Sequence, residues 1–298
     1  MSTPRRLIAG ATYLVTRRCT QRQMMLRPSV ETNQVFLYCL AVAAERAGIQ
    51  LHAFVVMSNH WHAVLTDPDA RLPEFLHLLH RLVASCMNAS LGRTENFWAA
   101  EHASVVTLES VDDVLEKIAY VIANPTAAGL VRSPEEWPGV ITTRLGEHHI
   151  ATKPGLYFRQ GGATLPERMR IDCTVPPILR ELGAETAVRR LRVLVARNIR
   201  QARSKVRDSG RTFLGADGAR TMSPWRTAAT PEPLRRRRPT LAARDPHDRK
   251  AALARLRVFH TAYRAALIRW QRGDRSARFP DGTYLMRVFH GACCDLAP

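Results

Sequence analysis

The tightest constraint on what this chain can fold into is a two-residue break, Ser58-Asn59. It sits between the run Ile49-Gln50-Leu51-His52-Ala53-Phe54-Val55-Val56-Met57 and the run His60-Trp61-His62-Ala63-Val64-Leu65. The first run is rich in β-branched and aromatic residues and Ser-Asn is a turn signal, so the two read as neighbouring antiparallel strands. Side chains alternate along a strand, which sends His60 and His62 to one face and Trp61 to the other. Two imidazoles leaving one face can hold one metal ion. An isolated His-x-His pair is also what a strand with one exposed and one core histidine looks like.

The flanking periodicities extend this hairpin into a fold. Residues 10–20 alternate small or apolar with polar groups and predict a first strand ending in Arg17 and Arg18. Val35, Phe36, Cys39, Leu40 and Val42 recur at helical spacing over residues 32–47, with Gly48 as the stop. Leu76, Leu79, Leu82, Val83 and Met87 mark a second helix over 72–91. Residues 102–108 read as a short strand, and Ser110-Val111-Asp112-Asp113 opens a third helix expected to end near Ala123, before Pro125. Strand, helix, strand, strand, helix, strand, helix is the order of an α+β, ferredoxin-like antiparallel sheet with helices on one face.

After Trp137-Pro138-Gly139 the pattern loosens into a mostly helical basic C-terminal region. Four segments are expected: a domain over 1–150, a basic helical stretch over 151–220, a flexible Arg/Pro-rich linker over 221–248 holding the run Arg235-Arg236-Arg237-Arg238, and a helix with its tail over 249–298. The basic stretch centres on a helix over 181–207 that includes Arg189, Arg190 and Arg197.

Across 298 residues, 44 Lys and Arg face 26 Asp and Glu, a net charge of +18 that points to a polyanionic partner, nucleic acid first. Hydrophobic residues make up 46% of the chain, enough for a real core and too many for a wholly disordered protein. No apolar run reaches the roughly 20 residues that span a bilayer, and the first residues do not lead into a signal-peptide core, so a soluble, cytoplasmic protein without membrane contact is expected. None of the six cysteines falls in a Cys-x-x-Cys pair, against a zinc finger or a disulfide framework.

Within the third helix, Tyr120 and Asn124 are four residues apart and share a face. If that face covers the histidine strand, Asn124 offers an oxygen as a third metal ligand and Tyr120 a phenol beside the ion. A phenol is a poor nucleophile at neutral pH but forms a stable ester once it attacks phosphorus. A metal on a phosphate oxygen would neutralise charge in the transition state of such a transesterification. The alternative for Tyr120 is a helix residue with its hydroxyl at the surface.

His60-Trp61-His62 after an apolar strand, Trp98 before a strand, and Tyr120 leading into Asn124-Pro125 and Ala128-Gly129-Leu130-Val131 resemble the single-tyrosine transposases of the HUH endonuclease superfamily, most of all the REP-associated tyrosine transposases. The resemblance covers residues 6–140, about half the chain. It implies a ferredoxin-like catalytic domain, Tyr120 as nucleophile, and Mg or Mn held by His60, His62 and Asn124, where relatives often carry Gln. It further implies cleavage of single-stranded DNA at a hairpin-marked site, with a 5′-phosphotyrosine intermediate and a released 3′-hydroxyl, and the same chemistry reversed to join strands.

Arg17, Arg18 and Arg22 are candidates for DNA backbone contact, as are Arg189, Arg190 and Arg197 for the hairpin stem; solvated arginines are the alternative. Glu101 and His102 border the expected site or are polar residues at a sheet end. Trp61 and Trp98 offer rings to unpaired bases, although Trp61 must point away from the metal face. Two other functions fit parts of the pattern: a catalytically inactive DNA-binding regulator of the same family, and a replication-type nickase, which usually carries further domains. A monomer or a homodimer is compatible with the sequence. Because Mg favours oxygen ligands and imidazole suits softer ions, Mn is expected to support cleavage at least as well as Mg. Parallel assays in the two ions check this, and activity with Mg alone would refute it.

Overall fold

The computed structural model describes residues 4–156, 165–229 and 239–295. Its first half runs β1 (Ala11–Arg18), α1 (Val30–Ala47), β2 (Gln50–Met57), β3 (His60–Asp67), α2 (Leu72–Ser90), β4 (Ser104–Leu108) and α3 (Val111–Ala127). The second half adds β5 (His148–Thr152), β6 (Arg168–Asp172), α4 (Ala184–Asp208), α5 (Gly215–Thr221), β7 (Leu241–Ala242), α6 (Pro246–Gln271) and α7 (Leu285–His290). β1 to β4 form an antiparallel sheet in the order β2-β3-β1-β4, the ferredoxin-like arrangement, and β7 joins β4 in parallel at the edge.

Strand parity divides the core into two layers. Tyr13, Val15, Phe54, Val56, Trp61, Ala63 and Leu65 face α1 and α2, whose inner residues include Phe36, Leu40, Phe75, Leu79 and Val83. Leu14, Val55, Met57, Val64 and Val106 face the opposite way, onto Leu115, Ile118, Ala119 and Ile122 of α3 and Leu191 of α4. The two helices of the βαββαβ unit thus share one face, and α3 with α4 builds a further layer on the other.

Local chemistry sets the helix ends. The Ser29 side chain accepts the Thr32 N–H at 3.0 Å to start α1, and Gly48 at φ 68° closes it, a left-handed position costly for a residue with a Cβ. The buried Asp67 carboxylate at the end of β3 accepts the N–H groups of Arg71 at 2.9 Å and Leu72 at 2.7 Å, turning the chain into α2.

Two readings of the sequence need adjustment. α3 does not stop before Pro125 but continues to Ala127. Proline there removes one N–H and leaves the Val121 carbonyl without its usual donor, which is tolerable near a helix end whose residues Ile122, Ala123, Asn124, Pro125 and Thr126 are buried. The segment expected as a linker over 221–248 includes β7, whose pairing with Thr107 and Leu108 fixes it to the sheet. The arginine run 235–238 lies outside the described residues. The two-stranded sheet of β5 and β6 went unseen in the sequence, since β5 buries only Ala151 and β6 only Met169 and Ile171.

Trp61 is fully buried and meets Phe36 edge-on with ring centroids 5.7 Å apart. Replacing it with alanine should cost about 3–5 kcal/mol of stability. Denaturant unfolding monitored by circular dichroism measures this; a loss near zero would mean Trp61 is not a core residue.

Candidate active site

The register between β1 and β3 builds the first part of the site. Thr16 stands opposite His62 and Arg18 opposite His60, so two β1 side chains accompany the two imidazoles on the α3 face. Thr16 Oγ1 lies 2.6 Å from His62 Nδ1. Asn59, at the turn before β3, donates from Nδ2 to the Arg22 carbonyl at 3.0 Å, which turns its Oδ1 toward His60 Nδ1 at 2.6 Å. An amide oxygen can only accept, so His60 carries its proton on Nδ1 and keeps the Nε2 lone pair.

The two rings stand 4.8 Å apart, nearly perpendicular. Burial pushes the His60 pKa down to about 4, with the Arg22 charge adding to the effect. His62 is held well below the usual histidine range, first by burial and then by His60. Both imidazoles are therefore neutral at pH 7, the form in which histidine ligates metals.

α3 supplies the phenol. Ser110 caps its start by accepting the Asp113 N–H at 3.2 Å, and the apolar stripe through Val114, Ile118 and Ile122 presses it onto the sheet. Tyr120 then reaches down the histidine face: its hydroxyl is 3.4 Å from His62 Nε2, with ring centroids 5.2 Å apart. It is 39% exposed, so a ligand can reach it. Lys117 Nζ stands 5.9 Å from the centre of the Tyr120 ring, placing a positive charge beside the phenol.

His60, His62 and Tyr120 thus come together on one face. Asn124 follows Tyr120 by one helical turn, buried at 7% exposure; its helical backbone puts it on the Tyr120 stripe despite the proline after it. The sequence reading missed Thr16, Asn59 and Lys117. In the sequence Asn59 carries only a turn signal, and Thr16 becomes a partner only through pairing across 46 residues.

The arginine candidates divide by surroundings. Arg17 points to the α2 face and donates to the carbonyls of Ala99, at 2.9 Å, and Glu101. Arg18, on the histidine face, pairs with Glu101 at 3.3 Å, which brings that residue next to the site. Arg22 belongs to a 3₁₀ turn beside Asn59. Arg190 is tied to Asp112, and Arg197 to Glu116 at 2.7 Å, both carboxylates on α3; Arg189 is exposed. Trp98 is 8% exposed and donates to the His80 carbonyl at 2.8 Å, so like Trp61 it belongs to the core.

Asp245, His247 and Asp248 form another group with ligand atoms within 4.8 Å of one another, exposed at the start of α6. Asp245 there caps the helix, accepting the N–H of His247 at 2.7 Å and of Asp248 at 3.1 Å. No helix among the described residues is long and apolar enough to cross a membrane.

No family model and no curated protein matches the chain. Solved structures do. A REP-associated tyrosine transposase bound to a REP hairpin is 21% identical, with 47% of this chain and 81% of that chain covered, at a TM-score of 0.37. A Deinococcus radiodurans R1 protein named as a transposase is 22% identical, with 36% of this chain and 85% of that chain covered, at a TM-score of 0.29. The chain is similar to these two proteins, and neither likeness says what it acts on.

Outer-sphere partners that fix imidazole tautomers typically change metal affinity by about 10–100-fold. Asn59→Ala should accordingly weaken Mn binding by at least about tenfold, as read by calorimetric titration of the ion into the protein. An unchanged affinity would show that Asn59 does not orient a metal-ligating His60.

Proposed function

We propose that this protein cuts and rejoins single-stranded, hairpin-bearing DNA through a covalent link to Tyr120. The observation that carries the reading is the 3.4 Å approach of the Tyr120 hydroxyl to His62 Nε2 on a face shared by His60. The sequence resemblance to HUH transposases names these same residues, and the net charge of +18 suits a DNA substrate.

The donor set fits a divalent cation. His60 and His62 would offer Nε2, the Nδ1 atoms being turned to Asn59 and Thr16, and the Asn124 amide would offer its oxygen. Mg or Mn bound there would supply positive charge to a phosphate oxygen and so stabilise the transition state.

The chain's own residues perform the transfer. Tyr120, partly open to solvent, gives up its hydroxyl proton as its oxygen bonds to phosphorus. The bond from phosphorus to the 3′ oxygen breaks, and that oxygen takes up a proton to leave as a 3′-hydroxyl. One phosphate ester replaces another, so attack by a 3′-hydroxyl on the phosphotyrosine reverses the step and joins strands. Lys117, over the phenol ring, attracts the incoming phosphate. Arg18 and Arg22, next to His60, add positive charge on the same side.

The experiment is incubation of the full chain with labelled hairpin oligonucleotides in Mn or Mg, followed by denaturing electrophoresis. A covalent protein–DNA adduct is expected with the natural chain and none with Tyr120→Phe, which should still bind the oligonucleotide. Binding by the natural chain with no adduct in either ion would replace this reading with that of a DNA-binding regulator.

A further inference from the structure

Side chains from α3, from α4 and from the link between β7 and α6 form a cavity of about 360 Å³, whose charged lining is Asp112, Glu116, Arg189, Arg190, Arg197 and Arg244. Its four guanidinium groups outnumber its two carboxylates by two. Arg197 Nη2 donates to both Glu116 oxygens, at 2.7 and 2.9 Å, and Arg244 donates to Glu116 from a second direction. Arg190 holds Asp112. Arg189 is exposed at the rim and has no ion-pair partner among the described residues.

A carboxylate held by two guanidinium groups uses N–H donors that a phosphate oxygen can also accept from. The cavity also lies on a line with the phenol. Asp112, Glu116 and Tyr120 follow at four-residue intervals on α3, so the helix axis rises roughly 6 Å from Glu116 to Tyr120 and roughly 12 Å from Asp112 to Tyr120. Those rises correspond to about two and about four steps of a stacked strand at roughly 3.4 Å each.

We infer that this arginine cavity is a phosphate subsite for the strand flanking the bond at Tyr120, with Glu116 as a built-in phosphate mimic that keeps the arginines ordered and is displaced when DNA enters. The inference rests on the strand-cleavage reading for its substrate, and it adds a regulatory element: Glu116 competes with DNA. Repulsion between its carboxylate and the incoming phosphate lowers affinity for polyanions that do not also engage Tyr120 and the histidine face. A merely structural tie between α3 and α4 would have the opposite consequence, since removing Glu116 would then weaken the DNA site by loosening the helix that carries it.

Binding is measured by fluorescence anisotropy on the full chain in a Tyr120→Phe background, with a hairpin oligonucleotide carrying single-stranded flanks. Glu116→Gln should tighten binding several-fold. Arg189→Ala, exposed and unlinked to either carboxylate, should weaken it about tenfold and flatten the dependence of log affinity on log salt by about 0.7. A neutral methylphosphonate at one flanking position should reduce binding in the parent and have little further effect when Arg189 and Arg244 are both alanine. Unchanged or weaker binding by a Glu116→Gln chain of normal melting temperature overturns the inference. So do equal methylphosphonate penalties in parent and variants. If Glu116→Gln fails to fold, the Arg189→Ala salt dependence and the methylphosphonate scan decide. An adduct formed by the natural chain without this affinity pattern sinks the subsite alone. The pattern without any adduct sinks the cleavage reading and leaves the subsite standing.

Discussion

Burial of the Trp61 indole between the sheet and α1 is the constraint on which the rest of the molecule depends. A strand that commits its largest side chain to one layer has no freedom over its neighbours, and a slip of one residue would drive His60 and His62 into the apolar layer between the sheet and the first two helices. Phe36 and the α2 residues shape that layer, while β1 fixes the strand laterally by setting Arg17 against Trp61 and Thr16 against His62. Core packing and the presentation of the histidines are therefore one event. The geometry of the histidine face is thus set by a residue on the other side of the strand.

The same logic explains what could be read in the sequence and what could not. The alternation over residues 60–65 is local, and so was the division of His60, His62 and Trp61 between faces. Helical spacing in α1 and α2 was equally plain, and with the order of strands it specified the sheet. Tyr120 stood out through its resemblance to a known family more than through its own surroundings. What stayed hidden depends on register or on distant partners: Thr16 beside His62, the clasp of Glu116 by Arg197 across 81 residues, and β7 reaching back to β4. Residue 125 misled for a different reason. A proline carries a strong local penalty, and the apolar contacts of the final turn of α3 outweighed it.

Charge is distributed with a similar division of labour. The chain carries a large excess of arginine, yet many of the described arginines act on the protein itself. Arg17 grips the loop before β4, Arg255 holds Glu109, and Arg190, Arg197 and Arg244 hold the carboxylates near the start of α3. Acidic groups in the first turns of a helix are favourable on electrostatic grounds alone, and their guanidinium partners here come from the second half of the chain. Net charge is thus a coarse guide to a DNA surface.

The closing of the sheet's two borders has its own consequence. On the β2 side the Val56 N–H donates to Val140, the Thr142 N–H to Phe54 and the Thr174 N–H to Leu51; on the β4 side the Thr107 N–H donates to Thr240. Both rows of backbone groups are thereby occupied in part by residues well beyond the ferredoxin-like unit. A fragment cut near residue 150 would keep every strand from β1 to β4 yet bare the outer row of β4, leaving it ready to pair with a second molecule. The point where sequence character changes is consequently a seam in composition, while the hydrogen-bonded body of the protein runs on past it.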